Sequence, residues 1–193
     1  MRYIALFVLA AVLGTAHADS WPPARPAGAV SGNGDLVLRV EPGDSLGDVY
    51  GFAGAKKGRY ATASLYRRDG EDRYTKIRET QLLNPVAPVD FVLSDAGELV
   101  TFDNWHNLGV GKALVVYGAD GTVTRSYTLA EIYSPKELSR LQPSVSSVEW
   151  RCPFVPILER GSREVEFADK LGNAMSVNVR TGALSKRRSQ KVC

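Results

Sequence analysis

Residues 43–46 read Gly-Asp-Ser-Leu, and the overlapping frame from Gly43 to Gly47 reads Gly-x-Ser-x-Gly. Both patterns can present a serine hydroxyl as a nucleophile, the second at the apex of a sharp strand-to-helix turn. A nucleophilic serine needs a base to take its proton. With His17 set aside in the leader, the one imidazole is His106, in the stretch Asp103-Asn104-Trp105-His106-Asn107. A hydrolase working through Ser45 and His106, with an acid such as Asp103, is therefore one reading of the chain.

The order of the residues argues against a serine hydrolase of GDSL-like type. There the histidine lies near the C-terminus and oxyanion donors come from separate blocks before it. Here His106 follows Ser45 by only 61 residues, 87 residues come after it, and no G-x-N-D block lies between. The elbow reading needs a helix after the serine, whereas Asp48–Gly54 carries glycines at 51 and 54,. The competing expectation is a Gly/Asp/Ser loop held by side-chain-to-backbone hydrogen bonds. The balance leans away from an enzyme.

The Asp-Asn-Trp-His-Asn stretch suits a loop between strands, where binding groups concentrate. Asp103, Trp105, His106 and Asn107 are the candidate ligand-binding residues, with Trp105 as a stacking surface for a glycan or other polar ligand. The bland reading packs Trp105 into the core and uses the polar side chains to hold a wide turn. Asp103 and His106 alone are too few for zinc, and calcium prefers an all-oxygen shell, so no metal is expected. GFAGAKKGRY (51–60) lacks the ending of a phosphate-cradling loop, and no cofactor is expected,. Trp150, beside Cys152, reads as core.

The elements that would position these residues are strands. From Asp35 onward, short segments rich in Val, Thr, Tyr, Phe and Ile, many alternating apolar with polar, read as strands, as in DLVLRV, ELVTFDN, KALVVYG, SVSSVEWR and REVEFAD,. Asp-Gly and Asp-x-Gly turns separate them. Glycines 70, 97, 121 and 172 suggest a period of about 25 residues per hairpin, hence about 50 per four-stranded unit,. TLAE (128–131) and SPKE (134–137) each place Ser or Thr three residues before Glu, and predict two helical turns within 128–142,. The fold class is all-β, an antiparallel propeller-like or curled-sandwich sheet with one short helical segment. Ten such strands make about two and a half blades, and edges left open would invite a partner, so a homo-oligomer is among the expectations.

The first 20 residues carry Arg2, an apolar run from Ile4 to Leu13 and an Ala16-His17-Ala18 cleavage frame, a secretory signal peptide over 1–18,. The apolar run is half of the roughly 20 residues that span a bilayer, so the mature chain is expected without a transmembrane segment, in the periplasm or secreted. Residues 19–34, rich in Pro, Gly and Ser, read as a linker, and 35–193 as a single mainly-β domain ending in the basic tail SKRRSQK (185–191),. Cys152 and Cys193 are expected to pair in that oxidising setting, with an intermolecular bridge or free thiols as alternatives. Of 24 Lys and Arg against 21 Asp and Glu, cleavage removes only Arg2, and a net charge near +2 gives no argument for nucleic acid,.

The hairpin from Val92 to His106, V-x-S-D-x-G-x-x-V-T-x-D-N-W-H, and the stretch from Gly109 to Val123, G-x-G-x-x-L-V-V-Y-x-x-D-G-x-V, resemble a blade pair of bacterial exported β-propeller-like proteins of unknown function. The likeness spans about residues 60–150. It implies hairpins arranged as blades and implies no activity. The function expected from all of this is an exported, non-enzymatic binding or interaction module for a polar ligand, glycan or protein.

Overall fold

The computed structural model describes residues 21–50, 56–71, 73–189 and 193. Residues 1–18, read as a signal peptide, lie outside them. Among the described residues, twelve strands form three four-stranded antiparallel sheets in chain order. The first is β1 (Ala27–Val30), β2 (Leu36–Glu41), β3 (Thr62–Arg68) and β4 (Tyr74–Gln81). The second is β5 (Asp90–Leu93), β6 (Leu99–Phe102), β7 (Leu114–Tyr117) and β8 (Val123–Tyr127). The third is β9 (Ile157–Leu158), β10 (Glu164–Ala168), β11 (Asn173–Asn178) and β12 (Leu184–Arg188). Each is a meander, the plan of a propeller blade, and the all-β expectation holds.

The sequence of the second sheet explains how the three stack. LVTF and LVVY are buried at every position, whereas a sheet with one wet face alternates. Period two sorts these residues onto two cores. Leu99, Val115 and Tyr117 pack with Leu36, Leu38, Val40 and Leu65 of the first sheet. Val100, Phe102, Leu114 and Val116 pack with Val165, Met175 and Val177 of the third. The second sheet is the filling of the stack, and each fully buried aliphatic side chain in it contributes about 1.5–3 kcal/mol. The outer faces are polar. Arg39 pairs with Glu41 and Lys76 with Glu79 on the first sheet, while Glu164 accepts from Ser176 and Asn178 on the third.

Four local expectations change. Residues 27–30, inside the segment read as a linker, form β1, because small residues there follow β2 closely in register from Ala27↔Val40 to Val30↔Val37. The basic tail contributes β12: Leu184 pairs with Val177 and Lys186 with Met175 facing the core, and Ser185 and Arg187 point the other way. SVSSVEWR (144–151) forms no strand and holds only isolated bridges, Pro143↔Val148 and Arg151↔Asp169. Gly70, Gly97 and Gly121 do occupy successive hairpin turns, but Gly172 lies in the β10–β11 turn at the opposite end of the strands, so the regular step stops after 121.

Among the described residues three single-turn helices occur: α1 (Gly47–Tyr50), α2 (Leu129–Ile132) and α3 (Pro135–Leu138). The last two start where the capping pattern placed them. Glu131 accepts from the Thr128 N–H at 2.7 Å and Glu137 from the Ser134 N–H at 2.9 Å. Among the described residues no helix is long and apolar enough to cross a membrane.

Lys186 of β12 fastens α3 to the third sheet, donating to Glu137 at 2.7 Å and lying over the Tyr133 ring. The Lys186 hydrogen bond, with help from the Ser134 N–H and hydroxyl, holds the Glu137 carboxyl down at about 2. A carboxyl depressed in the folded state contributes stability above its unfolded value near 4.5, and that contribution is lost as pH falls from there toward 2,. Thermal melts of the wild type and Glu137→Gln should therefore differ at pH 6 and converge between pH 4.5 and 2. A pH-independent gap would remove the ion pair from the explanation.

Candidate functional site

The connections β2–β3, β6–β7 and β10–β11 lie at one end of the strands, with the links between sheets. At this end the Gly-Asp-Ser-Leu loop is a structural lock. A Cβ on Gly43 would collide with the backbone of Arg59, Ala61 and Pro85, so only glycine lets these chain segments meet,. Asp44 accepts from the Arg59 N–H at 2.6 Å and pairs with Lys56 at 2.9 Å. Ser45 is fully buried; its hydroxyl donates to Asp48 at 2.6 Å and accepts from the Gly58 N–H at 2.9 Å. That hydroxyl hydrogen bond, followed by Lys57, lowers the Asp48 carboxyl below its ordinary range. The one proton a nucleophilic serine must surrender is committed to a carboxylate within its own loop. Ser45→Ala should cost about 1 kcal/mol in an unfolding titration through the loss of these bonds, and fluorophosphonate labelling should be absent from both proteins.

The Asp-Asn-Trp-His-Asn loop joins β6 to β7 and bends through two residues with positive φ, Asp103 (58°) and His106 (75°). Asn and Asp tolerate that region better than most residues. Asp103 is 1% exposed. Its Oδ1 accepts from the Trp150 indole N–H at 2.6 Å and the Gly109 N–H at 2.8 Å, and its Oδ2 from Arg151 Nε at 2.8 Å. Burial pushes this carboxyl up, against the pull of Arg151, Trp150 and Gly109. Gly109 also has positive φ, and a Cβ there would stand 2.7 Å from the Val148 carbonyl.

The four candidate ligand-binding side chains diverge. Asp103 forms the floor of a cleft of about 480 Å³, with Trp21, Val89, Asp90, Leu108, Glu149, Arg151 and Lys170 around it. Trp105 faces an apolar groove beside Pro22, Pro26, Pro88 and Phe91, and its indole N–H donates to the Pro22 carbonyl at 2.9 Å. Asn107 is buried beside a smaller cavity of about 190 Å³ near Tyr60 and Lys112, its amide donating to the Ser146 carbonyl at 2.7 Å. His106 is half-buried, which lowers its basicity, and stands edge-on to Trp21 at 5.9 Å. Trp150 is core, as expected.

Sequence reasoning missed Arg151, Asp90 and Trp21. Arg151 is clamped between Asp103 and Asp90 and lies over the Phe102 ring. Trp21, assigned to the linker, packs on Trp105 with ring centres 5.4 Å apart. The lone Trp in a Pro-rich stretch was a signal for an anchored strap, but nothing local showed its partner. Cys152 and Cys193 form a disulfide within the chain.

No family model matches the chain, and no curated protein matches it. Among solved structures, the periplasmic gluconolactonase of Pseudomonas aeruginosa aligns with 78% of this chain at 16% identity and a TM-score of 0.44, and the chain spans 38% of that structure.

Proposed function

We propose that the protein is an exported, non-enzymatic binding module whose ligand is a small, uncharged, polyhydroxylated molecule such as a sugar unit of a glycan. The observation that supports this reading is the 480 Å³ cleft, which joins an indole wall at Trp21 to a fixed polar floor at Arg151 and Asp90. Its size lies within the range of small-ligand sites. The apolar face of a sugar ring stacks on an indole, while its hydroxyls alternate as donors to Asp90 and acceptors from Arg151. Around the cleft, Glu149 and Lys170 pair at 3.4 Å, leaving the rim close to neutral. Asp103 serves as the positioning group beneath Arg151, since its own oxygens already hold three donors. Trp105 and His106 act through Trp21, which they hold from behind.

The test is a thermal-shift and calorimetric screen of mono- and disaccharides and cell-wall fragments. A saturable response should weaken at least tenfold in Trp21→Ala. A response that survives this change, or no response to any sugar, overturns the reading.

A further inference from the structure

At the opposite end of the strands, the first hairpin turns of all three sheets converge on a second cleft, of about 370 Å³. It is lined by the β1–β2 turn at Gly32, the β5–β6 turn at Asp95, the β9–β10 turn with Arg160 and Arg163, and the β11–β12 turn with Arg180. We propose that this cleft is a separate site for an oxyanion, carried by a phosphate ester or a carboxylated sugar.

Three guanidinium groups at this cleft make no salt bridge among the described residues. Arg160, Arg163 and Arg180 are exposed, and none has an acid within 4.0 Å among the described residues, although Asp95, Glu98 and Glu159 line the same cleft. Two of those acids have other donors. Glu98 is buried and accepts from the Ser94 hydroxyl, and Asp95 accepts from the Asn33 N–H at 2.8 Å. Glu159 and Asp95 are the exposed acids left to compete. An arginine fork has five donors suited to planar or tetrahedral oxyanions, and three forks exceed what two exposed carboxylates can hold.

Backbone bonds fix where the arginines start. The Val179 N–H donates to the Arg163 carbonyl at 2.9 Å, placing Arg163 beside the turn that carries Arg180. That turn is held by the Asn178 side chain, which accepts from the N–H groups of Arg180 and Thr181 at 3.1 Å each. Arg160 lies within the turn closed by the Ser162 N–H on the Glu159 carbonyl, and its stem passes 3.8 Å from where a Cβ on Gly32 would stand.

The experiment titrates the full mature chain with inorganic phosphate, sn-glycerol 3-phosphate and glucuronate, each against sodium chloride at matched ionic strength. Arg163→Gln with Arg180→Gln should weaken the saturable response at least tenfold while leaving the ligand-free melting temperature within about 1 °C, because both side chains are exposed. Preference between the phosphates and glucuronate identifies the source of the oxyanion. If none of the three saturates, or if the double variant binds as the wild type does, the proposal falls. Trp21→Ala should leave this response intact, so the outcome is independent of the sugar-binding cleft.

Discussion

Asp103→Asn is expected to lower the stability of the folded chain by about 3–5 kcal/mol, the usual cost of removing one partner from a buried ion pair. The carboxylate accepts from Trp150, Gly109 and Arg151 through two oxygens. An amide has one oxygen, so whichever way it turns, its NH2 faces an N–H donor. Arg151, with only 8% of its side chain exposed, then keeps Asp90 alone as counter-charge. Backbone strain is not the cause, since asparagine adopts positive φ about as readily as aspartate. A denaturant titration should show the midpoint moving with an unchanged slope. A cost below about 1 kcal/mol would mean that water reaches Arg151 and that the floor of the cleft is not built as described.

A double-mutant cycle separates charge from packing. Arg151→Met removes the buried cation and keeps much of the stem that lies over Phe102,. In the Asp103→Asn background this second change should cost less than it does alone, with a coupling energy of about 1–3 kcal/mol.

The strand pattern was legible because it depends on local chemistry. Alternation marked β2 and β10, capping pairs marked α2 and α3, and the continuous runs of β6 and β7 reflect burial on both faces of the middle sheet. What escaped the sequence depends on distant neighbours. β1 is four mostly exposed residues held by the ladder with β2 and by Ala29 packing on the first core. β12 is hidden by Lys186, Arg187 and Arg188, which look like a solvated tail until Lys186 finds Glu137 and Tyr133. The same holds at the sites. Asp103 was recognisable as important, but its role follows from Trp150 and Arg151, 47 and 48 residues further along. Ser45 shows the converse. Its motif carries a hydrolase signature, yet the spacing from Gly43 to Gly58 satisfies a loop whose backbone must pass between residues 59–61 and Pro85.

Breaking the Cys152–Cys193 bridge should cost about 4 kcal/mol in the loop-entropy model for a closed loop of 42 residues,. In a domain of this size that corresponds to a fall of about 8–16 °C in Tm. Cys193→Ser and the reduced wild type should melt alike, and below the oxidised wild type. The cleft should suffer far less than the fold. Its segment 150–152 is held by other bonds: the Lys170 N–H on the Trp150 carbonyl, and the Cys152 N–H on the Ala168 carbonyl, each at 2.9 Å, besides the ion pairs of Arg151. Ligand affinity at 25 °C should therefore stay within a few-fold while stability drops. A reduced protein that melts normally but loses binding would instead make the bridge a clamp on Arg151, and would place redox control in the cleft itself.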